Sequence, residues 1–111
     1  MSGWKSLGEF EHLLLLAVMR LGDEAYGVTI RREIEERTGR PVSLGAIYPT
    51  MDRLEERGYV TSAMSRPTSS RGGRSRRYFQ LRPAGMAMLD RTRDMIAAMW
   101  EGHEAGSGVK P

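Results

Sequence analysis

Four arginines, Arg71, Arg74, Arg76 and Arg77, fall within seven residues around the double glycine Gly72-Gly73. A guanidinium is always charged and presents a planar fork of donors that matches phosphate oxygens and guanine edges. The charge balance points the same way. Residues 1–60 carry eight basic and ten acidic side chains, and residues 83–111 carry three basic and four acidic. Residues 61–82 hold six arginines (Arg66, Arg71, Arg74, Arg76, Arg77, Arg82) and no acid. The formal net charge of +3 therefore arises in one 22-residue stretch. A field concentrated in this way suggests a polyanion partner more strongly than a diffuse excess would. The competing reading is a solvated basic loop of a common kind.

A second group is notable for small size rather than charge. Ser43 offers an N-cap side chain, and a helix from there to Gly58 gathers Leu44, Ile47, Tyr48, Met51 and Leu54 on one face. Ala46, Pro49, Thr50, Arg53 and Arg57 gather opposite, with Gly45 at the margin. A major groove about 12 Å wide admits a helix whose approaching face is not bulky. Ser43, Gly45, Ala46, Pro49, Thr50 and Arg53 are thus the expected contacts to a duplex. The Ala46 and Thr50 methyls would meet thymine methyls, and Arg53 would take guanine O6/N7 or a phosphate. The plainer alternative is an amphipathic helix with a solvated outer face. Pro49 argues against an ordinary helix interior, at about 3 kcal/mol, and predicts a kink or a slow start.

Other chemistries find little support. Cysteine is absent, which removes disulfides, thiolate metal sites and thiol nucleophiles, and suits a reducing cytoplasm. His12 and His103 have no triad or metal-ligand spacing, and Glu9 and Glu11 read as solvated charges, so no catalytic residue, metal or cofactor is expected. The longest apolar run, residues 13–19, is far short of the roughly 20 that span a bilayer. No basic flank followed by an apolar stretch and small-residue cleavage site is read, so neither a secretory signal nor a membrane partner is expected.

The elements that must carry these residues follow from periodicity. Ser6-Leu7-Gly8-Glu9 has capping-box spacing and opens a helix that stops at Gly22. Its second half is apolar on nearly every side, so Leu13 and Leu16 are expected to meet a second subunit. Residues 26–38 form a second helix, with Tyr26, Ile30 and Ile34 at four-residue steps and Gly39 as its stop. After Gly58 the period becomes two. Residues 59–65 and 75–81 are read as strands of a hairpin with a long basic tip, and a short edge segment near Val42 as completing the sheet. Pro83 fits the first turn of a last helix reaching Trp100. Its apolar face spans about 160°, wider than the roughly 100° one core needs, so Met88, Leu89, Met95, Ile96, Met99 and Trp100 are assigned to a dimer interface. The chain is expected to be mainly α with a small β-hairpin. It divides into a winged helix-turn-helix (1–82), a C-terminal dimerisation helix (83–101) and a disordered tail (102–111).

Residues from Leu7 to Gly85 resemble the PadR family of transcription regulators. The likeness is carried by Leu21-Gly22, Tyr26-Gly27 with Ile30, residues 43–49 (Ser-Leu-Gly-Ala-Ile-Tyr-Pro) and residues 54–60 (Leu-Glu-Glu-Arg-Gly-Tyr-Val). Gly72-Gly73-Arg74, Arg77-Tyr78-Phe79 and Pro83-Ala84-Gly85 complete it. Pro49 belongs to that pattern, whereas Arg82 replaces a frequent threonine and predicts a frayed start to the last helix. The resemblance implies a homodimeric, usually repressive DNA-binding protein of the smaller branch, released by a small-molecule effector or by changing conditions; two-fold symmetry would match it to a palindromic operator. Some small members bind flat aromatic compounds at the dimer interface, which makes Trp100 a candidate stacking platform, or else an interface anchor. The rival outside this class is a winged-helix module that binds protein or RNA.

Overall fold

The computed structural model describes residues 6–65, 75–103, 106 and 108–110. In chain order it contains α1 (Glu9–Leu21), a 3-10 turn (Gly22–Glu24), α2 (Gly27–Thr38), α3 (Leu44–Glu56), β1 (Val60–Met64), β2 (Arg77–Leu81) and α4 (Pro83–Trp100). Among these residues no helix is long and apolar enough to cross a membrane.

α1 starts later than the Ser6–Glu9 box predicts. Its N-cap is Gly8, whose N–H donates to Glu11 Oε1 at 2.8 Å. Glu9 is instead drawn outward by Arg40, whose Nη1 lies 2.7 Å from its Oε1. Leu14, Leu15, Ala17 and Val18 are buried, while Leu13 and Leu16 are half-buried against the same core.

α2 follows Tyr26, whose N–H donates to Thr29 Oγ1 at 3.0 Å, and buries Ile30 and Ile34. It ends at Gly39, left-handed at φ 74°, whose N–H donates to the Glu35 carbonyl at 2.9 Å. Where α2 meets α3 the approach is close: a Cβ on Gly27 would stand 2.2 Å from the Tyr48 hydroxyl. α3 is capped by Ser43, whose Oγ accepts from the Ala46 N–H at 3.1 Å, and it runs unbroken through Pro49. The carbonyl that a proline at 49 leaves without its helical donor belongs to Gly45, an exposed residue that water can reach.

β1 and β2 pair antiparallel, from Val60 opposite Leu81 to Met64 opposite Arg77. The third strand position is not Val42. Tyr26 bridges Tyr78, and the Phe79 N–H donates to the Ala25 carbonyl at 2.8 Å. Val42 is unavailable for the sheet because its N–H donates to Glu35 Oε2 at 3.0 Å, beside the end of α2.

α4 begins with Pro83 after an extended Arg82 that offers no side-chain cap. Its first turn is nonetheless formed. The Arg82 N–H donates to the Tyr59 carbonyl at 2.9 Å, and the Met86 N–H donates to the Arg82 carbonyl at 3.0 Å. The bond to Tyr59 anchors the extended Arg82 backbone to the strand entry, although no side chain caps the helix. Met88 and Leu89, assigned above to a dimer contact, are buried in the chain's own core together with Thr92. The excess width of the apolar face is real only farther along. Met95, Ile96, Met99 and Trp100 are 42, 48, 82 and 54% exposed.

Candidate nucleic-acid interface

The outer face of α3 is built as its small residues require. Ser43, Gly45, Ala46, Pro49 and Arg53 are exposed, while Ile47, Met51 and Leu54 on the opposite face are fully buried. Thr50 departs from expectation. It is only 5% exposed, so its methyl cannot meet a base. Its hydroxyl donates to the Ala46 carbonyl and accepts from Arg53 Nη2, each at 3.0 Å. The residue read as a contact therefore steadies the neighbouring arginine.

The base of the wing is joined to α3 at Asp52, the residue before Arg53. A groove of about 640 Å³ separates it from the helices and is lined by Tyr26, Val28, Arg32, Tyr48, Met64 and Arg76, among others. The Arg76 guanidinium sits 4.4 Å above the Tyr26 ring, and the Tyr26 and Tyr78 rings meet edge-on at 5.2 Å. A hydrogen bond with the Tyr78 side chain raises the Arg76 pKa further above the usual guanidinium value. The cation is thus held at the mouth of a groove that α3 also lines through Tyr48.

Arg77 is engaged differently from Arg76. Its Nη1 lies 2.8 Å from Asp52 Oδ1, its Nη2 lies 2.8 Å from Glu55 Oε1, and its Nε donates to Ser62 Oγ at 3.1 Å. The guanidinium also rests 4.9 Å above the Phe79 ring. Burial opposes its charge, but the hydrogen bonds to Asp52 and Glu55 outweigh that and raise its pKa. Each of its three nitrogens has a partner within the molecule, so Arg77, read from the sequence as a nucleic-acid contact, is held in an internal network. Arg71 and Arg74, with the rest of the tip at 66–74, lie outside the described residues.

A family model for the PadR-like transcriptional regulators matches residues 15–91, from the middle of α1 through the first half of α4. The chain belongs to this PadR-like family. Members are transcriptional regulators, not enzymes. The regulator is 33% identical over 93 residues to the transcriptional regulator Rv3488 of Mycobacterium tuberculosis, with 78% of this chain and 82% of that protein covered. Among solved structures it resembles a PadR family transcription regulator from Clostridium difficile R20291, at 25% identity and a TM-score of 0.70. That likeness covers 84% of this chain and 95% of the other. A PadR family regulator from Eggerthella lenta DSM 2243 gives 25% identity and a TM-score of 0.66, over 85% and 81% of the two chains. The fold is that of a DNA-binding winged helix.

The structure of this PadR-like regulator adds residues that periodicity alone did not select. Tyr26 and Tyr48 belong to apolar helix faces in sequence, and Arg32 to a solvated one, yet all three line the wing groove. The four-residue step from Val28 to Arg32 places them on one side of α2; nothing local shows that the wing closes over that side. A second groove, about 480 Å³, flanks the start of α3, with Phe10, Arg40, Val42, Ser43 and Ala46 in its walls. There Arg40 lies 5.3 Å above the Phe10 ring while paired with Glu9.

Proposed function

We propose that the chain is a homodimeric, sequence-specific repressor that reads a palindromic operator in duplex DNA and is released by a small aromatic effector. The observation that carries this reading is an exposed α3 face of small residues and Arg53 on the same helix to which Arg77 ties the strands of the arginine-bearing wing, through Asp52 and Glu55. Ser43, Gly45, Ala46, Pro49 and Arg53 would enter the major groove. Arg76, joined by Arg71 and Arg74 of the tip, would follow phosphates or a narrow minor groove. Residues 1–82 form the reading unit in this account, 83–101 the dimerisation helix and 102–111 a tail. The unpartnered apolar end of α4, from Met95 to Trp100, would pair with its copy, with Leu13 and Leu16 of α1 at the margin. Trp100 would be the stacking platform for the effector, and such a regulator would work in the cytoplasm.

Two heads related by a two-fold axis meet successive major grooves about 34 Å apart. Selection of bound duplexes from a random library, followed by sequencing, tests this. The expected result is an inverted repeat with half-sites about one helical turn apart. Uniformly weak retention of every duplex would favour a protein or RNA partner instead.

A further inference from the structure

We propose that Arg77 is a positioning residue that locks the wing against the flank of α3, so that one guanidinium sets the pitch of the wing relative to the recognition helix. The inference rests on the operator-reading function above and names a part of its machinery. Three elements converge on this side chain. Arg77 belongs to β2, its acceptors Asp52 and Glu55 belong to α3, and Ser62 belongs to β1. Asp52 and Glu55 are three residues apart and therefore share one side of the helix. Glu55 grips the hairpin as well, accepting from the Ser62 N–H at 3.1 Å and from the Ser62 hydroxyl at 2.8 Å. The Ser62 hydroxyl bond, ahead of the Arg77 contact, holds the Glu55 carboxyl below its usual pKa.

A single exposed ion pair stabilises little, but a fork that satisfies several fixed acceptors defines an orientation. Here the acceptors sit on both sides of the hinge between reading helix and wing. The arrangement also explains an otherwise adverse charge. Asp52 adjoins Arg53, its side chain is 57% exposed, and a free carboxylate there would repel phosphates. Pairing with Arg77 offsets that repulsion. Charge alone therefore predicts that neutralising Asp52 strengthens DNA binding; a positioning role predicts the opposite for the operator.

The experiment compares the full-length wild type with Asp52→Asn, Arg77→Lys and the double variant. Each is titrated against the selected operator and a random duplex at one salt concentration, with thermal melting to verify folding. Arg77→Lys keeps the charge but loses the fork. The expected result is an operator affinity about five- to tenfold lower for either single variant, and no further loss in the double, as coupled residues behave. Affinity for the random duplex should hold or rise in Asp52→Asn. Should Arg77→Lys melt early, Asp52→Asn decides alone, since its side chain is largely exposed. An Asp52→Asn protein that binds the operator as tightly as wild type, or more tightly, overturns the positioning role only. A wild type that does not distinguish operator from random DNA overturns the regulator reading and this role with it.

Discussion

Arg53 and Thr50 are best considered together, because the exposed guanidinium of one is tethered by the buried hydroxyl of the other. If Arg53 reads a guanine, Arg53→Ala should weaken operator binding by about 1–3 kcal/mol and relax preference at one base position. Thr50→Val keeps the shape but removes the tether, so it should cost part of the same preference while leaving random-duplex affinity in place. Titration of both variants against operator and random DNA checks this; equal losses on both duplexes would reassign Arg53 to a phosphate. The exposure of Ser43, Gly45, Ala46, Pro49 and Arg53 was legible in the sequence from the helical period. The pairings were not. Wheel geometry put Thr50 on the outer face, and only the packed helix shows that it is buried with its hydroxyl turned to Ala46 and Arg53. For Arg77, the acceptors Asp52 and Glu55 lie more than twenty positions away in the chain, and no local pattern couples a strand to them.

Among the elements, the joints are decided by close backbone approaches. A Cβ on Gly85 would lie 2.3 Å from the Tyr59 carbonyl oxygen and 2.8 Å from Leu81 Cδ1. Helix propensity alone predicts that Gly85→Ala stabilises by up to about 1 kcal/mol. The clash is with backbone in the strand entry and should win, for a net destabilisation of about 1–3 kcal/mol as overpacking typically costs. Gly27→Ala meets the far end of Tyr48 instead, a side chain that can swing, so its cost should be smaller. Urea unfolding of both variants gives the comparison; Gly85→Ala with an unchanged or higher midpoint would refute it. The same joints explain what patterning found and missed. Helix and strand identities followed from periods of 3.6 and 2 and from Gly39, Ser43 and Pro83. The true start of α1 turned on a local choice, Glu11 rather than Glu9 closing on the N-cap, whereas the third strand position depended on Ala25 and Tyr26 meeting β2, a contact between distant segments.

At the scale of the whole molecule, α4 works in two halves. Gly85, Met88, Leu89 and Thr92 fasten its first half to the chain's own core, while the last turns leave a methionine-rich apolar stripe exposed. A single wide face was readable in the sequence; the division between inward and outward residues depends on where the core ends. Covering the outer stripe with a second copy would hold two reading heads at a fixed separation, and the flexible Met95 and Met99 suit an interface that repacks. Replacing Ile96 and Met99 together by glutamate should therefore convert a sedimenting dimer to a monomer without lowering the helical signal, because neither side chain supports the monomer core. Operator affinity should then collapse toward that of a half-site, while binding to an isolated half-site duplex stays near wild type, since each head keeps its own α3 and wing. A double variant that remains dimeric would move the interface elsewhere. One that is monomeric yet binds the full palindrome as tightly as wild type would remove dimerisation from the reading mechanism.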